Sequence, residues 1–194
     1  MAYSSMKPTH VCPRAAFRKR PNLKGLKIRV QQSPTNVEMM RLLGGSATPM
    51  GFGDVYTALQ SKIIDGAENN EMALTDNGHG DVCKYYSYDM HQMVPDILIG
   101  NLAFMESLSE EERAIFEEGF DLINSVQREE WEKAVAAAKE RAETEQHVQF
   151  NYPDLEPFKE ACMPLHTSVL EGNPALQSTY DAIQAYNAQY PQTE

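Results

Sequence analysis

The chain has 194 residues, 42% of them hydrophobic, which is enough to bury a substantial core, and its length fits one domain or two small ones. A formal net charge of −11 disfavours nucleic acid or an anionic membrane surface as a partner, so an anionic ligand must be held by a few local basic side chains. Three cysteines without C-x-x-C spacing argue against a zinc site and against a disulfide framework.

The N-terminal 22 residues are basic, contain several prolines and have no hydrophobic periodicity, so they predict an irregular segment. They contain no charged stretch followed by an apolar one, and we therefore expect no export signal in this sequence. The longest apolar runs, such as Met93–Gly100, are too short to cross a bilayer.

Short strands alternate with helices between residues 23 and 70. The LKIRV segment alternates as a strand does, and apolar residues then recur at helical spacing after the Ser33–Thr35 start signal. We further predict a strand in SATPM, a helix over Asp54–Lys62, and a third strand at Ile63–Ile64 that ends in a turn. This order favours a parallel or mixed sheet with helices on its faces, which binds ligands beyond the carboxyl ends of its strands.

The rest of the chain is predicted to be mainly helical. Residues 85–101 predict extended chain, in which Pro95 marks an edge or a crossing between lobes. Two short helices are predicted over residues 157–170 and 174–186.

Between these segments, residues 109–146 predict one long helix. Ser109 and Glu112 form a capping box at its start. Its apolar residues fall along one broad stripe, which comprises Phe116, Phe120, Ile123, Val126, Trp131 and Val135.

One arginine and a group of polar residues occupy the ends of two predicted strands. Arg29 lies near the end of the first, and Glu68, Asn69 and Asn70 follow the third, so both are expected to face one crevice. A guanidinium offers paired N–H donors in a rigid fork that matches a carboxylate, which a lysine does not. Asn69 can donate and accept at once, which suits a ligand that carries carboxylate and hydroxyl groups.

Each candidate also has a structural interpretation that the sequence leaves open. Arg29 would suit a surface ion pair on an edge strand, and Asn69 would stabilise a bend after a strand. Glu68 would be a structural carboxylate, and Phe52 would pack in the core.

Common catalytic and metal-binding motifs are absent from the sequence. No H-E-x-x-H, C-x-x-C, G-x-S-x-G or G-x-x-x-x-G-K-[ST] pattern occurs. We therefore predict a protein that is not an enzyme, with no cofactor and no catalytic or metal-binding residue.

Several segments resemble one known family in their order and nearly in their spacing. They are LKGLKIRV, GGSATPM, FGDVYTALQSKIIDGAENN, KYYSYDMHQMVPDILI and LSEEERAIFEEGF. The family comprises the substrate-binding proteins of TRAP transporters, of the dicarboxylate-binding (DctP) type, and the resemblance extends over roughly three quarters of the chain.

The resemblance implies a fold and a division of the chain. The fold class would be α/β and periplasmic-binding-protein-like (type II), with two lobes, a mixed sheet, flanking helices and a long C-terminal helix, the first lobe being incomplete. Residues 1–22 would form an irregular N-terminal segment and residues 23–92 a ligand-binding α/β lobe. Residues 93–194 would supply the crossing strand, the long helix and the C-terminal helices.

The resemblance also implies a function. Members bind organic acids outside the cytoplasmic membrane, so the chain would be a periplasmic or extracytoplasmic receptor whose partners are a small carboxylate ligand and the membrane subunits of a TRAP permease. The ligand would be a C4-dicarboxylate or, with many hydroxyl partners nearby, a sugar acid such as a uronate. The residues implied are Arg29 for the carboxylate, Asn69 as an amide contact, Phe52 as an aromatic wall, Gln32 as a polar contact, Glu68 beside the arginine, and Arg14 as the nearest counterpart of a further family arginine.

The sequence also departs from the family pattern. Members carry a signal peptide and most of the first lobe ahead of the KIRV strand, and Pro13 stands where the family has a glycine before the further arginine. We therefore interpret the chain as the C-terminal portion of a receptor. Two alternatives remain, a sensory domain of the same fold and a truncated, non-binding remnant that pairs as a homodimer.

Overall fold

The structure is a computed structural model that describes residues 23–94 and 96–189, together with the backbone of two strands within residues 1–22. The strands are β1 (Ala2–Tyr3), β2 (Thr9–Pro13), β3 (Lys27–Val30), β4 (Ser46–Pro49), β5 (Gly66–Asn69), β6 (Tyr85–Gln92), β7 (Ile97–Leu98) and β8 (Gln149–Asn151). The helices are α1 (Pro34–Leu42), α2 (Val55–Gln60), α3 (Met72–Thr75), α4 (His79–Val82), α5 (Leu102–Ser107), α6 (Glu110–Thr144), α7 (Glu156–Gly172) and α8 (Gln177–Gln189), with short 3-10 turns at Phe52–Asp54 and Pro174–Leu176.

The main sheet is mixed, as the sequence predicts. Its strands lie in the order β4-β3-β5-β2-β6-β8, and β4, β3 and β5 are mutually parallel. β2 lies antiparallel to both β5 and β6, and β8 runs parallel to β6. A second, two-stranded sheet pairs β1 with β7.

The first strand and helix form where local signals favour them. A proline in the first turn of α1 supplies the fixed φ that a helix start needs. The helix stops before Gly44, whose φ of +96° is a left-handed conformation that glycine adopts without strain. The chain then turns back to place β4 beside β3.

Two hydrophobic clusters hold the helices on the sheet. One joins β3, α1 and α7, and it contains Leu23, Ile28, Val30, Met39, Met40, Leu43 and Phe158. The other joins α2, β5, β6 and the C-terminal end of α6, and it contains Val55, Ala58, Leu59, Ile64, Ala67, Leu74, Cys83, Tyr86, Ala142 and Val148.

The long helix α6 begins as predicted. The Ser109 hydroxyl accepts from the Glu112 N–H at 3.2 Å, and the Glu112 carboxylate accepts from the Ser109 N–H at 2.8 Å, which confirms the capping box. Among the described residues of α6, the buried ones lie in its C-terminal third, at Val135, Ala138 and Ala142, and Trp131 one turn earlier is half-buried. The predicted apolar stripe is otherwise exposed at the positions of Phe116 (37%), Ile123 (54%) and Val126 (49%). No helix in the described part of the chain has the length and apolar character needed to cross a membrane.

Two local predictions were wrong. The third strand begins at Gly66 and not at Ile63–Ile64, because the N–H groups of Ile63 and Ile64 both bond the Ala58 carbonyl and so close the end of α2. Residues 1–22, expected to be irregular, contain β1 and β2, and β2 lies within the main sheet. Arg14 and Pro95 lie outside the described residues, and the division of the chain at residue 93 stays a prediction.

Candidate functional site

Three parallel strands end at the same edge of the sheet, and the residues that follow them enclose a hollow. β3 leads to Gln31, β4 leads to Phe52 and β5 leads to Asn70, while α3 and α6 close the sides. This strand-end hollow has a volume of about 440 Å³ and is open to solvent. Its lining residues are Arg29, Gln31, Phe52, Asn69, Asn70, Met72, Ala73, Asp76, Asn77 and Trp131.

Arg29 is held by the protein and still lines the hollow. Its Nε and Nη2 atoms donate to the Met50 carbonyl, at 3.2 and 3.0 Å, and its Nη1 atom donates to Glu68 Oε1 at 3.4 Å. These bonds use three of the five guanidinium N–H groups, and one N–H on Nη1 and one on Nη2 have no partner among the described residues. Two charged N–H donors therefore remain that can bind an acceptor such as a carboxylate.

The ion pair beneath the hollow is buried on both sides. The side chains of Arg29 and Glu68 are 5% and 2% exposed. Burial lowers the pKa of Arg29, an effect that the negative charge of Glu68 opposes, and the guanidinium stays charged. Burial likewise raises the pKa of Glu68, while His91, Arg29 and a hydrogen bond from the Gln31 backbone act in the opposite direction. Glu68 therefore fixes the arginine from below.

Asn69 lines the hollow, and the oxygen of its side chain already accepts a hydrogen bond. Its Oδ1 atom accepts the Asn70 N–H at 2.8 Å, and its backbone carbonyl accepts the Tyr86 hydroxyl at 2.9 Å. Its Nδ2 group has no hydrogen-bond partner among the described residues. Asn70 Oδ1 in turn accepts the Met72 N–H at 3.1 Å, at the start of α3. The turn role that the sequence left open for Asn69 thus coexists with two free donors.

Phe52 covers the arginine at one side of the hollow. The Phe52 ring centroid lies 5.8 Å from Arg29 Cζ, within cation–π range, and 5.7 Å from the His79 ring. Phe52 is 43% exposed, whereas His79 is buried. Burial, with a smaller effect from the nearby Arg29 charge, lowers the pKa of His79 to about 4. The histidine is therefore neutral at neutral pH and adds no second charge behind the ring.

The structure brings together only some of the predicted site residues. Arg29, Phe52 and Asn69 line the same hollow, and Glu68 lies beneath them without lining it. Gln32 is exposed and is not part of the lining, which contains its neighbour Gln31. The strand predicted in LKIRV does end at Val30, so Gln32 rests on the family resemblance alone. Arg14 lies outside the described residues, and the binding roles of all these residues stay predictions.

Sequence reasoning missed Asp76, Asn77 and Trp131 as contributors to the lining. Asp76 caps the C-terminal end of the short helix α3 and Asn77 follows it, in a segment for which sequence analysis makes no prediction. Trp131 lies on the apolar stripe of α6, and residues on such a stripe are predicted to pack in the core. Within the described ranges, no group of three or more His, Cys, Asp or Glu side chains is placed to hold a metal ion.

A hollow beyond the carboxyl ends of parallel strands, closed on one side by a long helix, is a common place for a small ligand in an α/β protein. The sequence matches the family described as bacterial extracellular solute-binding protein, family 7 (DctP), over residues 14–173. The chain belongs to this family, which confirms the TRAP resemblance.

Solved structures agree with this assignment. The chain is 60% identical to a TRAP periplasmic solute-binding protein from Anaerococcus prevotii with bound D-glucuronate, with a TM-score of 0.91 over 98% of this chain and 62% of that one. A TRAP periplasmic solute-binding protein from Chromohalobacter salexigens with bound D-glucuronate is 31% identical, with a TM-score of 0.90 over 95% of this chain and 62% of that one. The predicted periplasmic-binding-protein-like fold class is therefore confirmed.

Among curated relatives, the protein YiiZ of Salmonella typhimurium is 39% identical over 171 residues. The match covers 88% of this chain and 52% of the relative. The chain thus spans about half the length of such relatives.

Proposed function

We propose that this chain forms part of a TRAP solute receptor and binds a uronate in the strand-end hollow. The observation that carries the proposal is the Arg29 guanidinium, which is buried, held on one edge by Met50 and Glu68, and left with two N–H groups at the hollow. A preorganised arginine of this kind binds a carboxylate without a further cost of ordering its side chain.

The donors and acceptors around the hollow suit both the carboxylate and the hydroxyl groups of a sugar acid. The carboxylate accepts from Arg29 and from the Asn69 amide, which has both N–H groups available. Gln31 and Asn77 lie at the same hollow, where their amides can bind ring hydroxyl groups. Asp76 provides an acceptor for hydroxyl protons.

The charges favour a ligand with one carboxylate over a C4-dicarboxylate. Arg29 is the only cation among the described residues that line the hollow, and Asp76 is the only anion there. A second carboxylate would have no cation to pair with and would lie near Asp76, which repels it. The bound D-glucuronate in the Anaerococcus prevotii protein supports the same choice of ligand.

The proposal extends to the role of the whole receptor. Its location is outside the cytoplasmic membrane, and it delivers the acid to the membrane subunits of a TRAP permease. Contacts made to the ligand only in a closed form stabilise that form, and the permease recognises it. The family relationship, together with the periplasmic description of the solved relatives, supports this role. A homodimer stays a prediction.

Isothermal titration calorimetry with D-glucuronate, D-galacturonate and succinate tests the proposal. Arg29→Lys is expected to weaken glucuronate binding by about 10-fold to 100-fold, because a lysine cannot reproduce a paired, charge-assisted contact. Arg41→Lys is the matched control, since Arg41 pairs with Glu38 on the exposed surface. The Anaerococcus prevotii protein serves as a reference for the assay. Absence of binding to the unaltered protein, or equal affinity of the Arg29→Lys variant, would refute the proposal.

A further inference from the structure

We infer that Trp131 is the platform against which the ring of the sugar acid packs, and that it makes the hollow select a ring-shaped acid over an open-chain one. The inference rests on the proposed function and adds a residue that determines specificity. Phe52 and Trp131 are the two aromatic residues among the lining residues that the structure describes. Phe52 lies over the arginine, which leaves the indole as the aromatic surface for the rest of the ligand.

Trp131 reaches the hollow from a part of the chain remote from the other lining residues. Those residues lie between positions 29 and 77, at the strand ends and on α3, whereas Trp131 belongs to the long helix α6. α6 packs against α3 and thereby places the half-buried indole on the side wall of the hollow. A side chain on a helix is positioned more precisely than one on a loop, so the indole forms a well-defined wall.

The indole nitrogen of Trp131 has an unmet hydrogen-bonding requirement. Nε1 is buried and has no partner among the described residues. A buried N–H without an acceptor is unfavourable, and most buried indole N–H groups have one. A pyranose ring brings several hydroxyl oxygens to this wall, so a small rotation of the indole on ligand entry can supply the missing acceptor.

The two chemical features of an indole match a pyranose ring and do not match a linear acid. The C–H groups on one face of the sugar ring present an apolar surface with partial positive charge to the electron-rich aromatic ring. Succinate, an open-chain C4-dicarboxylate, has no comparable face. The Arg29 contact is common to both acids, whereas the Trp131 contact is made only by the ring.

Intrinsic fluorescence gives a direct reading because the chain contains one tryptophan. We expect D-glucuronate to shift or quench the emission with the same midpoint that calorimetry gives. Succinate is expected to leave the emission nearly unchanged, even at concentrations at which calorimetry detects its binding. Equal responses to the two acids would contradict the inference.

Two substitutions of Trp131 separate the contribution of its aromatic surface from that of its indole N–H group. Trp131→Ala is expected to weaken D-glucuronate binding about tenfold and to leave succinate affinity within about twofold, since only the ring loses its aromatic contact. Trp131→Phe keeps an aromatic face and is expected to stay within about threefold for glucuronate. Phe116→Ala is the control, because Phe116 is on the same helix and outside the lining. Circular dichroism melting curves establish that each variant is folded.

The outcomes distinguish this inference from the proposed function. If the unaltered protein binds no acid, both are overturned. If it binds D-glucuronate but Trp131→Ala weakens both acids equally or neither, the role of Trp131 is overturned and the uronate receptor stands. Should Trp131→Ala fail to fold, Trp131→Leu takes its place, and retention of glucuronate selectivity in that variant would also overturn the role.

Discussion

The Arg29 guanidinium takes part in a buried ion pair with Glu68 and also lines the hollow. The surface ion pair on an edge strand that the sequence left open is wrong, because β3 lies between β4 and β5 and the ion pair is buried. Glu68 and Met50 use three of the guanidinium N–H groups, and the residue still lines the hollow. A salt bridge in a structure therefore does not argue against a binding role when donors remain.

Strand ends explain which site residues could be predicted. Arg29 and Asn69 were predictable because parallel strands bring their carboxyl ends to one edge. Gln32 follows from the family resemblance and not from strand geometry, and the lining contains the residue directly after β3, Gln31. Trp131 could not be found in this way, since its place depends on how a remote helix packs on the sheet.

His79 supports a prediction about acid stability. Its pKa is about 4 in the folded protein, below its ordinary value of 6.5, so between these values the unfolded chain binds more protons than the folded one. Stability therefore rises with pH across this window, and His79 costs up to about 2–3 kcal/mol once the pH has fallen to about 4. In His79→Gln this loss is expected to disappear.

Urea unfolding of both proteins between about pH 7 and pH 4 measures the effect. Glu68, whose raised pKa acts in the opposite direction, contributes to both proteins alike and drops out of the difference. His147→Gln, at an exposed position, is the control for removing a histidine. Parallel pH profiles for wild type and His79→Gln would contradict the assigned cause.

At the scale of elements, α6 is attached to the sheet by an aromatic and cationic cluster near its C-terminal end. Lys139 Nζ lies 5.7, 5.5 and 5.6 Å from the ring centroids of Tyr88, Phe150 and Tyr152. The rings of Tyr88 and Tyr152 are stacked, with centroids 4.8 Å apart. Because these residues belong to β6, β8 and the segment after β8, the cluster ties the helix to the far edge of the sheet.

Replacement of Lys139 by methionine tests this attachment. Lys139→Met keeps most of the apolar stem and removes the charge, and it is expected to lower the free energy of unfolding by about 1–2 kcal/mol. Lys133→Met is the matched control, since Lys133 forms ion pairs with two exposed glutamates and should change stability by less than about 0.5 kcal/mol. Denaturant unfolding measures both, and equal losses would argue against a specific cation–π contribution.

The same helix shows how local and tertiary information differ. Its start was predictable because Ser109 and Glu112 meet within one turn. The burial of its apolar stripe was not, because burial depends on which elements lie against each turn, and the described core covers only the last third. The same limit explains why the start of β5 was misplaced. Ile63 and Ile64 favour a strand by composition, but their N–H groups bond the Ala58 carbonyl at the end of α2.

For the whole molecule, the alternation of strands and helices predicted the parallel part of the sheet but not its antiparallel part. β3, β4 and β5 follow one another along the chain with helices between them, so local periodicity indicates their order, although it misplaces the start of β5. β2 pairs with β5 and β6, which lie more than fifty residues further on. Such pairing is set by the tertiary fold and leaves little trace in a short, proline-containing segment.

The charge balance of the molecule makes ligand binding dependent on one local feature. With a net charge of −11, the averaged field repels an anion, and Arg29 is the single cation among the described residues of the hollow. Binding should therefore stabilise the folded protein only when the ligand carries a carboxylate. At a free D-glucuronate concentration of about 100 times Kd, the gain is about 2.7 kcal/mol, which raises Tm by roughly 5–10 °C.

A thermal-shift comparison of D-glucuronate with D-glucose isolates the carboxylate, because the two share the ring and most hydroxyl groups. We expect glucuronate to raise Tm in the unaltered protein, glucose to leave it unchanged, and Arg29→Lys to abolish most of the glucuronate effect at the same concentration. Sodium chloride at matched ionic strength controls for screening of the acidic surface. A rise of equal size with glucose would mean that the ring alone supplies the affinity, and the arginine would then have no special part in holding the ligand.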